Sequence, residues 1–80
     1  MNNKLRIETE LKTIFEKNLN QKIKKVDTLS IEKNKNWDSL KHMQIIVNIE
    51  RKFNVKIKTS DVGRLNTFNK LKDYIIKSNL

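Results

Sequence analysis

The sequence predicts an all-α fold, a small bundle of three longer helices and one short third helix, with a long loop between the first two. Three observations carry this. Apolar residues recur at helical spacing along most of the chain. The one strand-like alternation, Val55-Lys56-Ile57-Lys58, has no second strand to pair with and reads as an extended connector. One stretch, Ser39 to Phe53, has an apolar arc wide enough for a helix contacted by several others. Eighty residues fit one domain, 1–80.

The elements follow in chain order. Across residues 3–19, Leu5, Ile7, Leu11, Ile14 and Phe15 mark the core face of an amphipathic first helix. Residues 20–38 are polar, with turn-favouring Asp27-Thr28 and Asn34-Lys35-Asn36. Ile23, Val26, Leu29 and Ile31 predict a loop pinned to the core, and long ordered loops often carry function. Asp38 is a good N-cap for the second helix. Its apolar arc holds Leu40, Met43, Ile46, Val47, Ile49 and Phe53, opposite Lys41, Gln44, Asn48, Arg51 and Lys52. Asn54 suits the C-cap. Thr59-Ser60-Asp61-Val62 opens a short helical turn that ends near Gly63. Thr67 caps a last helix over 67–78, whose core face is Phe68, Leu71, Tyr74 and Ile75.

Composition excludes several functions. The chain has no cysteine, hence no disulfide, thiolate metal site or thiol of its own, and its one histidine, His42, makes a zinc site untenable. No apolar run is longer than Ile45-Ile46-Val47, which is too short to span a membrane, and Met1-Asn2-Asn3-Lys4, leading into mixed charge, is not expected to open a signal peptide. A cytoplasmic monomer is the expectation. A chain of this length buries only about 60% of its unfolded surface, too little for a deep enclosed catalytic site.

The formal net charge is +9, from 18 Lys+Arg against 9 Asp+Glu. Such a balance suits nucleic acid or acidic partners. The background explanation is codon usage: Lys, Asn and Ile supply 36 of the 80 residues and all have AT-rich codons, while alanine is missing altogether. The charge is also spread evenly, +4 over residues 1–36 and +5 over 37–80, and only 3 of the basic residues are Arg. A nucleic-acid footprint is usually clustered and richer in Arg. Of the aromatic residues, Phe15, Phe53, Phe68 and Tyr74 fall on core faces; Trp37 alone sits in a loop, so no base-stacking platform forms.

Catalytic groups are sparse. His42 shares a helix face with Ser39, three residues earlier, but no third group completes a triad, and His42 reads as a half-exposed helix residue. Glu50 lies inside the apolar arc and reads as a structural carboxylate, hydrogen-bonded or ion-paired near the bundle surface. The informative segment is Asn36-Trp37-Asp38-Ser39-Leu40. A serine in the first turn of a central helix exposes its hydroxyl beside unpaired N–H groups and the positive end of the helix dipole. That suits a phosphate or phosphodiester. It suits an ordinary helix start equally well.

At these residues the chain resembles an acyl carrier protein. Asp38-Ser39-Leu40 matches the family's Asp-Ser-Leu motif, and Met43 to Phe53 resembles the helix that follows it, with Glu50 and Phe53 at matching positions. Ile57, Val62, Leu65 and the stretch Thr67 to Ile75 align with the family's tail. The resemblance is strong over 37–75 and weaker over 1–36. It implies a carrier, not an enzyme: a phosphopantetheinyl transferase moves 4′-phosphopantetheine from coenzyme A to Ser39, and the arm's thiol holds an acyl or aminoacyl group as a thioester between partner enzymes. The resemblance also implies an interior that can admit an acyl chain, for which Ile46, Ile57, Val62, Leu65 and Phe68 are the lining candidates; ordinary core packing is the alternative.

Some features depart from the fatty-acid members of the family. Those are acidic, and their second helix offers carboxylates to basic patches on partners. Here the corresponding docking face reads Lys41, Gln44, Val47 and Arg51, with Lys52 beside it. The expectation is a specialised carrier in lipid, polyketide or polysaccharide synthesis, served by a loading ligase and acyltransferase-type enzymes with less basic docking sites than usual. Trp37 replaces a small residue and resembles carriers of polyketide-like or surface-polysaccharide pathways; Leu40 departs from the Met usual in D-alanyl carriers. The family's proline after the second helix is missing near Lys58. The alternatives are a small basic helical module binding nucleic acid or an acidic protein, and a carrier-like subunit that has lost its modification.

Overall fold

The computed structural model describes residues 3–78; Met1, Asn2, Asn79 and Leu80 lie outside the described residues, and with them the ends of the expected 1–80 domain. It contains α1 (Asn3–Leu19), α2 (Ser39–Phe53), α3 (Thr59–Val62) and α4 (Phe68–Ser78). The all-α bundle with a short third helix is therefore the fold. Its radius of gyration is 11.6 Å. Residues 55–58 form no strand, as expected of a connector.

Helix α1 packs against α2 and α4. One continuous core gathers Ile7, Leu11, Phe15 and Leu19 of α1, Ile45, Ile46 and Ile49 of α2, and Phe68, Leu71 and Ile75 of α4. Phe15 sits at its centre, 4.8 Å edge-on to Trp37 and 5.3 Å from Phe68. Leu5, expected on the core face of α1, is exposed instead.

The long loop is pinned as its apolar spacing predicts: Ile23 and Leu29 are buried, Val26 and Ile31 half-buried. An isolated antiparallel bridge, Ser30 with Thr67, ties it to the start of α4. Two backbone bonds flank the bridge, Ile31 N–H to Asn66 O at 3.0 Å and Phe68 N–H to Leu29 O at 3.0 Å. The Thr67 hydroxyl accepts from Lys70 N–H at 3.1 Å, completing the predicted cap of α4.

Helices α1 and α2 end by the same device. Asn20 and Asn54 both adopt the left-handed conformation, each at φ 53°. The next amide, Gln21 or Val55, reaches back five residues to Glu16 O or Glu50 O, both at 3.3 Å. Three residues past each Asn, the amide of Ile23 or Ile57 donates to the carboxylate of that same Glu, at 3.0 and 2.9 Å. The pattern Glu-x-x-x-Asn-x-x-Ile thus turns the chain out of each helix and buries the Ile. Glu50 is the structural carboxylate expected.

Candidate functional site

The corner before α2 is built from short polar contacts. Trp37 N–H donates to Asn34 O at 3.1 Å, Asn36 N–H to Asn34 Oδ1 at 2.9 Å, and the Asn36 amide to Gln21 Oε1 at 2.8 Å. Asp38 then takes an extended conformation (φ −97°, ψ −175°), and its Oδ1 accepts from Lys41 N–H at 2.9 Å. This N-cap starts the helix at Ser39 and satisfies one of its orphan donors.

Ser39 is therefore the first residue of α2, exposed, with no hydrogen bond to its hydroxyl among the described residues. The amides of Ser39 and Leu40 likewise have no acceptor there. A reachable hydroxyl, two free N–H groups and the positive end of a 15-residue helix dipole suit a phosphodiester at this point. Among the described residues, no group of three or more His, Asp or Glu side chains is placed to hold a metal.

Trp37 and His42 differ from expectation. Trp37 belongs to the core: it is 1% exposed and packs on Phe15, although it lies in the loop. His42 is not half-exposed but buried, at 6%. Its Nδ1 accepts from the Trp37 indole N–H at 3.0 Å, and its Nε2 lies 2.7 Å from Val62 O. Burial of a polar ring requires such partners. With both ring nitrogens engaged, His42 is no base for Ser39. The Trp37–His42 spacing of five residues was the available signal; the Val62 carbonyl leaves none in a sequence.

The apolar arc of α2 is divided. Ile45, Ile46 and Ile49 face the core, whereas Leu40, Met43 and Val47, read as part of the arc, are 67%, 49% and 41% exposed. These three lie on one exposed face with Gln44 and Arg51, and Lys41 is half-buried at its edge. Of the interior candidates, Ile46, Ile57, Leu65 and Phe68 are buried together in the core, and Val62 is half-buried against it.

Residues 36–75 match the family model described as a phosphopantetheine attachment site, a stretch that runs from the corner before α2 into α4. The chain is also 36% identical over 80 residues to the acyl carrier protein of Buchnera aphidicola subsp. Schizaphis graminum (strain Sg), covering 99% of this chain and 98% of that protein. The attachment-site match brings with it a covalently held 4′-phosphopantetheine, and with it a role in carrying rather than catalysis. A helical bundle that matches this model over half its length and a carrier over nearly all of it belongs to the acyl carrier protein family.

Proposed function

We propose that Ser39 is the attachment residue and that the chain carries acyl groups in a specialised biosynthetic pathway. The exposed, unpartnered Ser39 hydroxyl at the start of α2 is the observation that carries this reading. When bound, the phosphopantetheine arm supplies the thiol that holds cargo as a thioester. The chain's own contribution is positional. Asp38 fixes the start of α2; the amides of Ser39 and Leu40, without acceptors among the described residues, would hold the phosphodiester, and the N-terminal dipole would offset its charge.

Family members work with a phosphopantetheinyl transferase and with enzymes that load and remove cargo. The exposed Leu40, Met43 and Val47, edged by Lys41, Gln44 and Arg51, form the face for docking them. Trp37 and the cationic edge favour a specialised pathway over bulk fatty-acid synthesis. The chain's described helices include none long and apolar enough to cross a membrane, and a cytoplasmic site of action fits this.

The test is intact mass after incubation with coenzyme A, magnesium and a broad-specificity phosphopantetheinyl transferase. The wild-type chain should gain one phosphopantetheine and Ser39→Ala none. A gain retained in Ser39→Ala places the arm elsewhere; no gain in either, with helical structure intact, turns the reading toward an unmodified helical module.

A further inference from the structure

Among the described residues, His42 is the one buried polar or charged side chain, and carrying cargo gives it no chemical task. An apolar residue would fill the same space without desolvating two nitrogens. Its partners explain its presence. The Trp37 indole N–H can only donate, so His42 Nδ1 accepts (3.0 Å). The Val62 carbonyl can only accept, so Nε2 carries the proton and donates (2.7 Å). The two partners together select the neutral Nε2–H tautomer.

Val62 ends α3, and its carbonyl is one of those a helix leaves without an internal partner. α3 needs outside support. It has four residues, no side-chain N-cap and no buried residue of its own. One isolated helical turn does not persist in water. Helix α2 grips the segment leading into and through α3 at two points five residues apart: Glu50 accepts from Ile57 N–H, and His42 holds Val62 O. The His42 ring is steadied in turn by Trp37, which is packed on Phe15 of α1. The support of α3 therefore runs back into the α1–α4 core.

We infer that His42 is a positioning residue that seats α3 on α2, holding Val62, and with the Glu50–Ile57 contact the segment from Ile57 to Leu65, against the core. Its bearing on cargo rests on the reading of Ser39 as the attachment residue; the seating of α3 does not.

Amide hydrogen exchange by NMR on the full unmodified chain tests it, with His42→Asn and His42→Gln alongside. Asn places its amide oxygen where Nδ1 stood, keeping the Trp37 bond and losing Val62. Gln reaches to the Nε2 position and keeps a donor for Val62. In the wild type, ring nitrogen shifts should show Nδ1 bare and Nε2 protonated. In His42→Asn the Arg64 and Leu65 amides, which close the end of α3 onto Asp61 O, should exchange about tenfold faster or more, while Ile49 and Leu71 keep most of their protection. His42→Gln should retain the α3 protection. Loss confined to α3 in both variants also supports the seating, with Gln an imperfect substitute. Unchanged α3 protection in His42→Asn overturns it. So does equal acceleration at α3, Ile49 and Leu71, which marks a core residue with no local role. Intact mass of Ser39→Ala beside the wild-type chain after phosphopantetheinylation judges Ser39 separately.

Discussion

Ser39 and His42 stand one helical turn apart, yet the fold gives them opposite surroundings. Ser39 is left open to reagents, while His42 is closed between Trp37 and Val62. Trp37→Phe should destabilise through packing and hydrogen bonding together. The smaller ring leaves part of the space against Phe15 unfilled, and His42 Nδ1 loses its donor in a buried place. A buried polar atom left unmatched costs about 1–3 kcal/mol, the lost packing adds to it, and urea unfolding should show a loss of at least that size. Leu40→Ala, on the open face, should stay within about 0.5 kcal/mol of wild type. A Trp37→Phe chain as stable as wild type would mean that the indole N–H is readily replaced by water. Asp38-Ser39-Leu40 was legible in the sequence because a helix start is a local event, readable from neighbouring residues. His42 was not, because its second partner lies 20 residues away and is a backbone carbonyl, which any residue supplies.

Helix ends were legible for the same local reason. The start of α2 behind Asp38 and its end at Asn54 follow from residues adjacent in sequence, as does the Thr67 cap of α4. The faces of α2 were not, since periodicity places Leu40, Met43 and Val47 beside Ile46 and Ile49 without saying where the neighbouring helices stop. The shared ending of α1 and α2 offers a sharper test. Asn20 and Asn54 hold φ 53°, a region where a Cβ is strained and Asn is among the residues that tolerate it best. Asn54→Ala should cost about 1 kcal/mol, and Asn54→Gly should be neutral or slightly stabilising, by thermal unfolding. The same pair of changes at Asn20 should give the same signs, because the amide and carboxylate contacts around it repeat. Opposite signs at the two sites would show that the likeness is only geometrical.

Over the whole molecule, the distribution of charge matters more than its total. Glu8, Glu10 and Asp61 are held in ion pairs, with Lys72, with Arg6 and Lys52, and with Arg64. Glu16, Asp38 and Glu50 accept backbone amides. Among the described residues, Asp27, Glu32 and Asp73 are the carboxylates that remain exposed and outside such contacts. Most of the acids are taken up by these contacts, and the surplus cations are left facing outward, including Arg51 beside the apolar face of α2. A chain at +9 repels itself, and a partner docking at Leu40, Met43 and Val47 meets a positive edge. Salt should therefore act with opposite signs on folding and on docking. Raising it from about 0.1 M to about 1 M shortens the screening length from ~10 Å to ~3 Å. Self-repulsion is relieved, and the thermal midpoint should rise. Docking of the loaded carrier on an enzyme with an acidic rim should weaken over the same range, chiefly through slower association, and Arg51→Glu should reproduce the loss at low salt. Circular dichroism and surface-based binding kinetics across one salt series measure both. If docking on its own loading enzyme strengthens with salt, or Arg51→Glu improves it, the partner presents a basic or purely apolar surface, and the cations of α2 are codon background rather than a recognition device.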